Sequence, residues 1–122
     1  MAKILLAEDE PQIGDMVVFK LTNSGHQVVR AQDGEEALRH AAAEHPDLIV
    51  LDVMMPVLDG FEVLRRLKAD PALVDVPVIM LTAKGQERDV LTGLSTGATD
   101  YIVKPFSLKE LSARIEAALR KH

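Results

Sequence analysis

Short apolar runs alternate with longer segments of helical period along the chain. The runs of strand length are KILLA (3–7), QVVRA (27–31), DLIVL (47–51), VPVIML (76–81) and DYIV (100–103). The segments of helical period are 11–23, 34–44, 59–69, 86–95 and 107–121. Strands that alternate with helices predict right-handed βαβ units and a parallel sheet covered on both faces. The predicted fold is therefore α/β, a doubly wound (βα)5 three-layer sandwich, and its more polar second strand suits an edge.

Composition and charge narrow the class of protein. The 122 residues fit one domain, 1–122, and 48% hydrophobic with 27% charged residues is typical of a soluble globular protein. The net charge of −5 gives no overall basic field, so direct binding of nucleic acid is not expected. The chain has no cysteine, which excludes disulfides, thiolate metal sites and thiol nucleophiles. Short apolar runs and an N-terminus without a signal-peptide pattern predict a cytoplasmic protein with no membrane role.

Helix-start signals agree with the helical segments. Pro11 suits the first position of the first helix, where its missing N–H costs nothing. Asp33 with Glu36, and Ser107 with Glu110, have the spacing of capping boxes at the second and last helices.

Polar side chains follow four of the five predicted strands. Glu8 and Asp9 come after the first strand, Asp52 after the third, Thr82 after the fourth and Lys104 after the fifth. Each residue alone has an ordinary explanation as a turn former, a loop charge or a cap. In an open parallel sheet, however, ligands bind beyond the carboxyl ends of the strands, where these residues converge. The convergence predicts a functional site at this edge.

The residue types indicate phosphoryl chemistry supported by a metal. Clustered carboxylates repel one another, and a divalent cation removes that conflict. Oxygen ligands without cysteine suit a hard ion, so Mg²⁺ is expected, with Mn²⁺ as a substitute. A carboxylate such as Asp52 can act as a nucleophile toward phosphorus. The Lys104 amine and the Thr82 hydroxyl are suited to bind the phosphoryl oxygens.

Four motifs carry a resemblance that spans the whole chain. LLAEDE, DLIVLDVMMPVLDG, VIMLTAKG and GATDYIVKPF, in this order and spacing, resemble the receiver domains of two-component response regulators. The resemblance implies a flavodoxin-like sheet of order 2-1-3-4-5. It also implies that a sensor histidine kinase, a phosphotransfer protein or a small phosphodonor phosphorylates Asp52, and that a downstream protein effector responds.

The same resemblance implies roles for the site residues. Asp9, Asp52 and the backbone carbonyl of Met54 would bind Mg²⁺ directly, and Glu8 would bind it through a water. Lys104 would pair with the phosphoryl group, and the peptide between Lys104 and Pro105 would be cis.

The resemblance also implies a conformational switch and a long lifetime of the phosphoryl group. Thr82 matches the switch hydroxyl, Tyr101 the switch aromatic, and Ala83 a position kept small to give the phosphoryl group room. Met54 and Lys84 match positions that flank the path of the attacking water. Because neither side chain orients water well, slow self-hydrolysis is expected.

The C-terminal third resembles receivers that precede a winged-helix DNA-binding domain and pair through the fourth helix, fifth strand and fifth helix. The matching positions are Leu94, Asp100, Glu110, Ala113 and Arg114, and the departures are Val90 and Thr99. These departures predict a mainly monomeric unphosphorylated form and a possible dimer after phosphorylation. A stand-alone receiver acting on a partner protein is favoured, and the excised N-terminal receiver of a transcriptional regulator is the alternative.

Other functions fit the sequence less well. A phosphatase of the haloacid-dehalogenase type wants a second Asp where Met54 stands, so turnover of external phosphoesters is not expected. A flavodoxin-like cofactor module would need a phosphate loop after the first strand, and no dinucleotide or P-loop motif occurs. A degenerate receiver would lack site residues that are present here. The histidines show no ligand spacing and are expected at the surface: His26, His40, His45 and His122.

Overall fold

The computed structural model describes residues 2–83 and 95–121. The strands are β1 (Lys3–Ala7), β2 (Gln27–Ala31), β3 (Leu48–Asp52), β4 (Val78–Ala83) and β5 (Asp100–Lys104). All pair in parallel in the order β2-β1-β3-β4-β5, which confirms the predicted fold class and the edge position of β2. The helices are α1 (Pro11–Asn23), α2 (Gly34–Glu44), α3 (Gly60–Ala69) and the C-terminal helix (Leu108–Lys121). Among the described residues, no helix has the length and apolar character needed to cross a membrane.

The sheet separates two apolar cores, because successive strand residues point to opposite faces. Leu5, Ile49 and Met80 belong to the core on the side of α2 and α3. Ile4, Val50 and Ile79 belong to the core on the side of α1 and the C-terminal helix. The central strands β1, β3 and β4 are therefore buried on both faces, and β3 and β4 carry Asp52 and Thr82 at their carboxyl ends.

The helix starts follow the predicted caps. The Asp33 side chain accepts from the Glu36 N–H at 2.8 Å, and the Ser107 hydroxyl accepts from the Glu110 N–H at 2.9 Å. The reciprocal half of the first capping box differs, because Glu36 Oε1 accepts from the N–H of Gln32 instead of Asp33. Pro11 is the first residue of α1, as predicted.

Three strands extend further than the apolar runs indicated. Asp52 pairs with Leu81 and is the last residue of β3. Thr82 lies inside β4, and Lys104 is the last residue of β5. The backbones of Asp52, Thr82 and Lys104 are therefore held by the sheet and not by the loops that follow it.

One histidine contradicts the expectation of a surface position. His26 is only 8% exposed. Its Nδ1 accepts from the N–H of Ala2 at 3.1 Å, and its Nε2 lies 2.9 Å from a carboxylate oxygen of Glu116. Burial is possible because both ring nitrogens have partners. His40 is half-buried and His45 is exposed.

Candidate functional site

Three strands bring acidic and basic side chains together at the carboxyl edge of the sheet. Glu8 directly follows β1, Asp52 ends β3 and Lys104 ends β5. The Lys104 Nζ lies 2.5 Å from Asp52 Oδ2 and 3.0 Å from Glu8 Oε2. Glu8 is completely buried and Asp52 is 3% exposed. The structure thus places an ammonium between two buried carboxylates.

A third carboxylate, which the sequence analysis did not single out, joins this group. Glu10 Oε1 lies 3.4 Å from the Lys104 Nζ. Carboxylate oxygens of Glu8, Glu10 and Asp52 lie within 4.8 Å of one another. The backbone N–H of Glu10 also donates to Glu8 Oε1 at 3.0 Å, which fixes the turn between β1 and α1. The sequence held one signal for Glu10, because this residue is the third acid of the EDE triplet.

Two of the predicted metal ligands, Asp9 and Met54, do not join the acidic cluster through their side chains. Asp9 is exposed and is not among the acids that cluster in the described part of the chain. The Met54 side chain is also exposed, but the Met54 N–H donates to Asp52 Oδ1 at 3.0 Å and orients that carboxylate. Direct metal binding by Asp9 and by the Met54 carbonyl stays a prediction.

The predicted switch residues lie on neighbouring strands. Thr82 is 1% exposed, and its Oγ1 has no hydrogen-bond partner among the described residues. A buried hydroxyl without a partner is costly, which is a reason to expect a ligand atom there in another state. Tyr101 is buried in the core on the side of α2 and α3. Ala83 is exposed at the end of β4, and the peptide before Pro105 is cis.

Burial and neighbouring charges shift the pKa values of Glu8 and Lys104. Burial raises the pKa of Glu8 to about 7, and a hydrogen bond with Asp52 adds to the rise; the N–H of Glu10 and the Lys104 ammonium oppose it. Burial by itself would lower the pKa of Lys104, but hydrogen bonds to Asp52 and Glu8 raise it above its usual value. Lys104 is therefore charged at neutral pH, and one ammonium faces three carboxyl groups.

The donor set fits a hard divalent cation. It consists of carboxylate oxygens, which Mg²⁺ and Mn²⁺ prefer over nitrogen or sulfur ligands. With the carboxylates ionised, one ammonium does not balance their charge, and a divalent ion supplies what is missing. Glu8 and Asp52 are the buried residues placed to hold it.

Some of the residues singled out in the sequence are not described by the structure, including residues of the output face, which is the predicted surface of the fourth helix, fifth strand and fifth helix. Lys84, Val90, Leu94 and His122 lie outside the described residues, as does most of the predicted fourth helix. At the start of β5, Asp100 pairs with Arg114 at 2.8 Å, and Arg114 lies 3.4 Å from Glu110. These predicted dimer charges thus already have partners within the chain.

Comparison with known proteins decides the family. A family model described as the response regulator receiver domain matches residues 4–116. The chain belongs to this family. It is 50% identical over 119 residues to the alkaline phosphatase synthesis transcriptional regulatory protein PhoP of Bacillus subtilis, covering 98% of this chain and 49% of that protein. It is 48% identical to the phosphate regulon transcriptional regulatory protein PhoB of Escherichia coli, covering 98% of this chain and 52% of that protein.

Solved receiver structures share the fold of this receiver domain. Chemotaxis protein CheY4 of Vibrio cholerae superposes with a TM-score of 0.91 at 35% identity, covering 97% of this chain and 98% of that one. A sensor histidine kinase receiver domain from Pseudomonas aeruginosa, solved with magnesium coordinated in its active-site cleft, gives 0.89 at 34% identity, covering 97% of each chain. The present receiver domain spans about half the length of the curated relatives that it matches.

Proposed function

We propose that this receiver domain, residues 1–122, accepts a phosphoryl group on Asp52 in a reaction that depends on Mg²⁺. One observation carries the proposal: the Asp52 carboxylate is buried at the tip of β3, and both of its oxygens are held, one by the Lys104 ammonium and one by the Met54 N–H. Such fixed donors orient a carboxylate for reaction. The phosphodonor is a sensor histidine kinase, a phosphotransfer protein or a small phosphodonor, and the setting is the cytoplasm.

The transfer is a substitution at phosphorus. An Asp52 oxygen attacks, the new O–P bond forms, and the bond from phosphorus to the donor breaks, with its electron pair leaving on the donor. Asp9, Asp52 and the Met54 carbonyl would hold Mg²⁺ directly and Glu8 would hold it through a water, and the ion would supply positive charge against the carboxylates and the phosphoryl oxygens. Lys104 supplies further positive charge from the chain itself. The reaction modifies the protein and turns over no external substrate.

Thr82 and Tyr101 connect the phosphoryl group to an output face formed by the predicted fourth helix, β5 and the C-terminal helix. A phosphoryl oxygen on Asp52 satisfies the buried Thr82 hydroxyl, which moves inward, and the Tyr101 ring follows. Ala83 leaves space for the phosphoryl group, and the exposed Met54 side chain does not orient an attacking water. The unphosphorylated form is mainly a monomer, and the changed face binds a protein effector or a second copy.

The length of the relatives favours a second domain arrangement. The relatives are transcriptional regulators about twice as long as this chain. The alternative proposal is therefore that this receiver is the regulatory part of a larger DNA-binding protein, in which the output face acts on an attached domain instead of a separate partner.

Labelling with acetyl phosphate tests the assignment of the phosphoryl acceptor. The wild type should gain one phosphoryl group in the presence of Mg²⁺ and lose the capacity when the metal is chelated. Asp52→Asn should abolish the gain, measured by intact-protein mass spectrometry. Asp75→Asn, an exposed aspartate on another loop, is the control and should label normally. Undiminished labelling of Asp52→Asn would refute the assignment.

A further inference from the structure

The Lys104 ammonium has two inner partners and one outer partner. Asp52 and Glu8, at 2.5 and 3.0 Å, are the inner ones, and their side chains are 4% and 0% exposed. Glu10, at 3.4 Å, is the outer one, and its side chain is 59% exposed. Lys104 itself is 18% exposed. The ammonium therefore lies between a buried acidic pocket and an acid at the mouth of that pocket.

A divalent cation bound to the inner carboxylates conflicts with this position. The ammonium already contacts Asp52 Oδ2, one of the oxygens available to the cation. Two positive charges a few ångströms apart repel strongly where water is largely excluded. Lys104 must therefore shift outward when the cation binds. Glu10 is the carboxylate that already contacts the ammonium on the outer side.

The Glu10 backbone is fixed, so that its side chain is held near Lys104. Its N–H donates to Glu8 Oε1, and its carbonyl accepts from the Gly14 N–H at 2.9 Å and from Arg30 Nη2 at 3.4 Å. Arg30 reaches this carbonyl because residue 14 is glycine: a Cβ there would lie 1.9 Å from Arg30 Nη2. The exposed carboxylate can thus follow the ammonium while its backbone stays in place.

We propose that Glu10 is a positioning residue that holds the Lys104 ammonium at the mouth of the site while a divalent cation occupies the inner carboxylates. The inference rests on the proposed function, because it assumes that the site takes up the cation and the phosphoryl group. Glu10 acts on Lys104 and contacts no reacting atom. When the phosphoryl group forms on Asp52, its greater negative charge draws the ammonium back from Glu10.

A double-mutant cycle on Mg²⁺ affinity tests this mechanism. The four proteins are wild type, Glu10→Gln, Lys104→Met and the double variant, each titrated with MgCl₂ by calorimetry. Glu10→Gln should weaken binding by about three- to fivefold, the range of a partly exposed ion pair. Lys104→Met should strengthen binding, because it removes the competing charge and keeps the length of the side chain. In the Lys104→Met background, Glu10→Gln should change the affinity by less than about twofold.

An equal loss in both backgrounds would overturn the inference, because Glu10 would then act on the cation directly. If Lys104→Met fails to fold, the cycle is repeated with Lys104→Gln in its place. Glu35→Gln removes the same charge from an exposed residue in the first turn of α2, and should leave the Mg²⁺ affinity unchanged.

The rate of labelling by acetyl phosphate gives a second readout. Glu10→Gln should raise the Mg²⁺ concentration needed for half-maximal rate, and leave the rate at saturating Mg²⁺ within about twofold of wild type. A lower rate at saturating Mg²⁺ with an unchanged half-maximal concentration would contradict the mechanism. A wild type that neither binds Mg²⁺ nor becomes labelled would refute the proposed function itself. If the wild type binds Mg²⁺ and becomes labelled, and Glu10→Gln behaves in the same way, the positioning role is refuted and the proposed function stays intact.

Discussion

Val57 has a backbone conformation that its side chain disfavours. It lies in the loop between β3 and α3, five residues after Asp52, and its φ is 71°. A β-branched residue in the left-handed region is strained, because its Cβ substituents crowd the backbone. The Val57 side chain is 68% exposed, so little burial offsets that strain. Strain next to a reactive side chain is typical of functional loops.

Replacement of Val57 by glycine should therefore stabilise the protein. The expected gain in the free energy of unfolding is about 1 kcal/mol, because relief of strain exceeds the added flexibility of the unfolded chain. Urea denaturation measures it. Val74→Gly is the matched control: Val74 is also exposed, at 38%, and its φ is not positive. That variant should be destabilised, and a loss of stability in Val57→Gly would contradict the strain argument.

At the scale of elements, the start of α3 is packed directly onto the end of β3. The Gly60 N–H donates to the Val53 carbonyl at 2.8 Å. A Cβ on Gly60 would lie 2.3 Å from the Asp52 carbonyl oxygen and 2.8 Å from the Val53 Cα. Both neighbours are backbone atoms of the segment that carries the proposed phosphoryl acceptor, so they cannot move without displacing Asp52.

Gly60→Ala should therefore destabilise the fold by about 1–3 kcal/mol, the usual range for overpacking, and slow labelling of Asp52 by acetyl phosphate. Gly14→Ala offers a matched control in α1, because the nearest atoms there belong to the flexible end of Arg30. Alanine also favours helix over glycine by roughly 0.5–1 kcal/mol, which offsets part of the crowding at that position. Denaturation midpoints compare the two variants, and labelling rates compare Gly60→Ala with the wild type. Equal losses of stability would show that the contact with β3 is unimportant.

The elements themselves were predictable from the sequence, because their signals are local. Apolar periodicity and caps such as Asp33 and Ser107 placed the four helices that the structure describes within a residue of their observed ends. His26 was not predictable in this way, because its partner Glu116 lies 90 residues along the chain. Glu10 was missed for a related reason: periodicity does not tell which members of an acidic triplet reach Lys104 once the strand has ended.

At the scale of the whole molecule, the site and the output face share two neighbouring strands. Thr82 pairs with Val103 and Met80 with Tyr101, so β4 and β5 carry the hydroxyl and the aromatic ring in fixed register. A groove of about 410 Å³ between β5 and the C-terminal helix is lined by Tyr101, Lys104 and Arg114. A shift of Lys104 or Tyr101 therefore alters this groove directly. Arg114, which lines the groove, also pairs with Asp100 at the start of β5.

Tyr101 reports on this coupling without any label, because the chain contains one tyrosine and no tryptophan. Beryllofluoride with Mg²⁺, which imitates the phosphoryl group on Asp52, should change the tyrosine fluorescence of the wild type as the ring moves. Thr82→Ser keeps the hydroxyl and should keep the change, whereas Thr82→Ala should lose most of it while still binding beryllofluoride, as followed by ¹⁹F NMR. Thr22→Ala, on the exposed end of α1, is the control and should respond like the wild type. A full fluorescence change in Thr82→Ala would mean that the ring moves independently of the hydroxyl. Phosphorylation would then reach the output face through Lys104 and β5 alone, since Lys104 is the remaining site residue that lines the same groove as Tyr101.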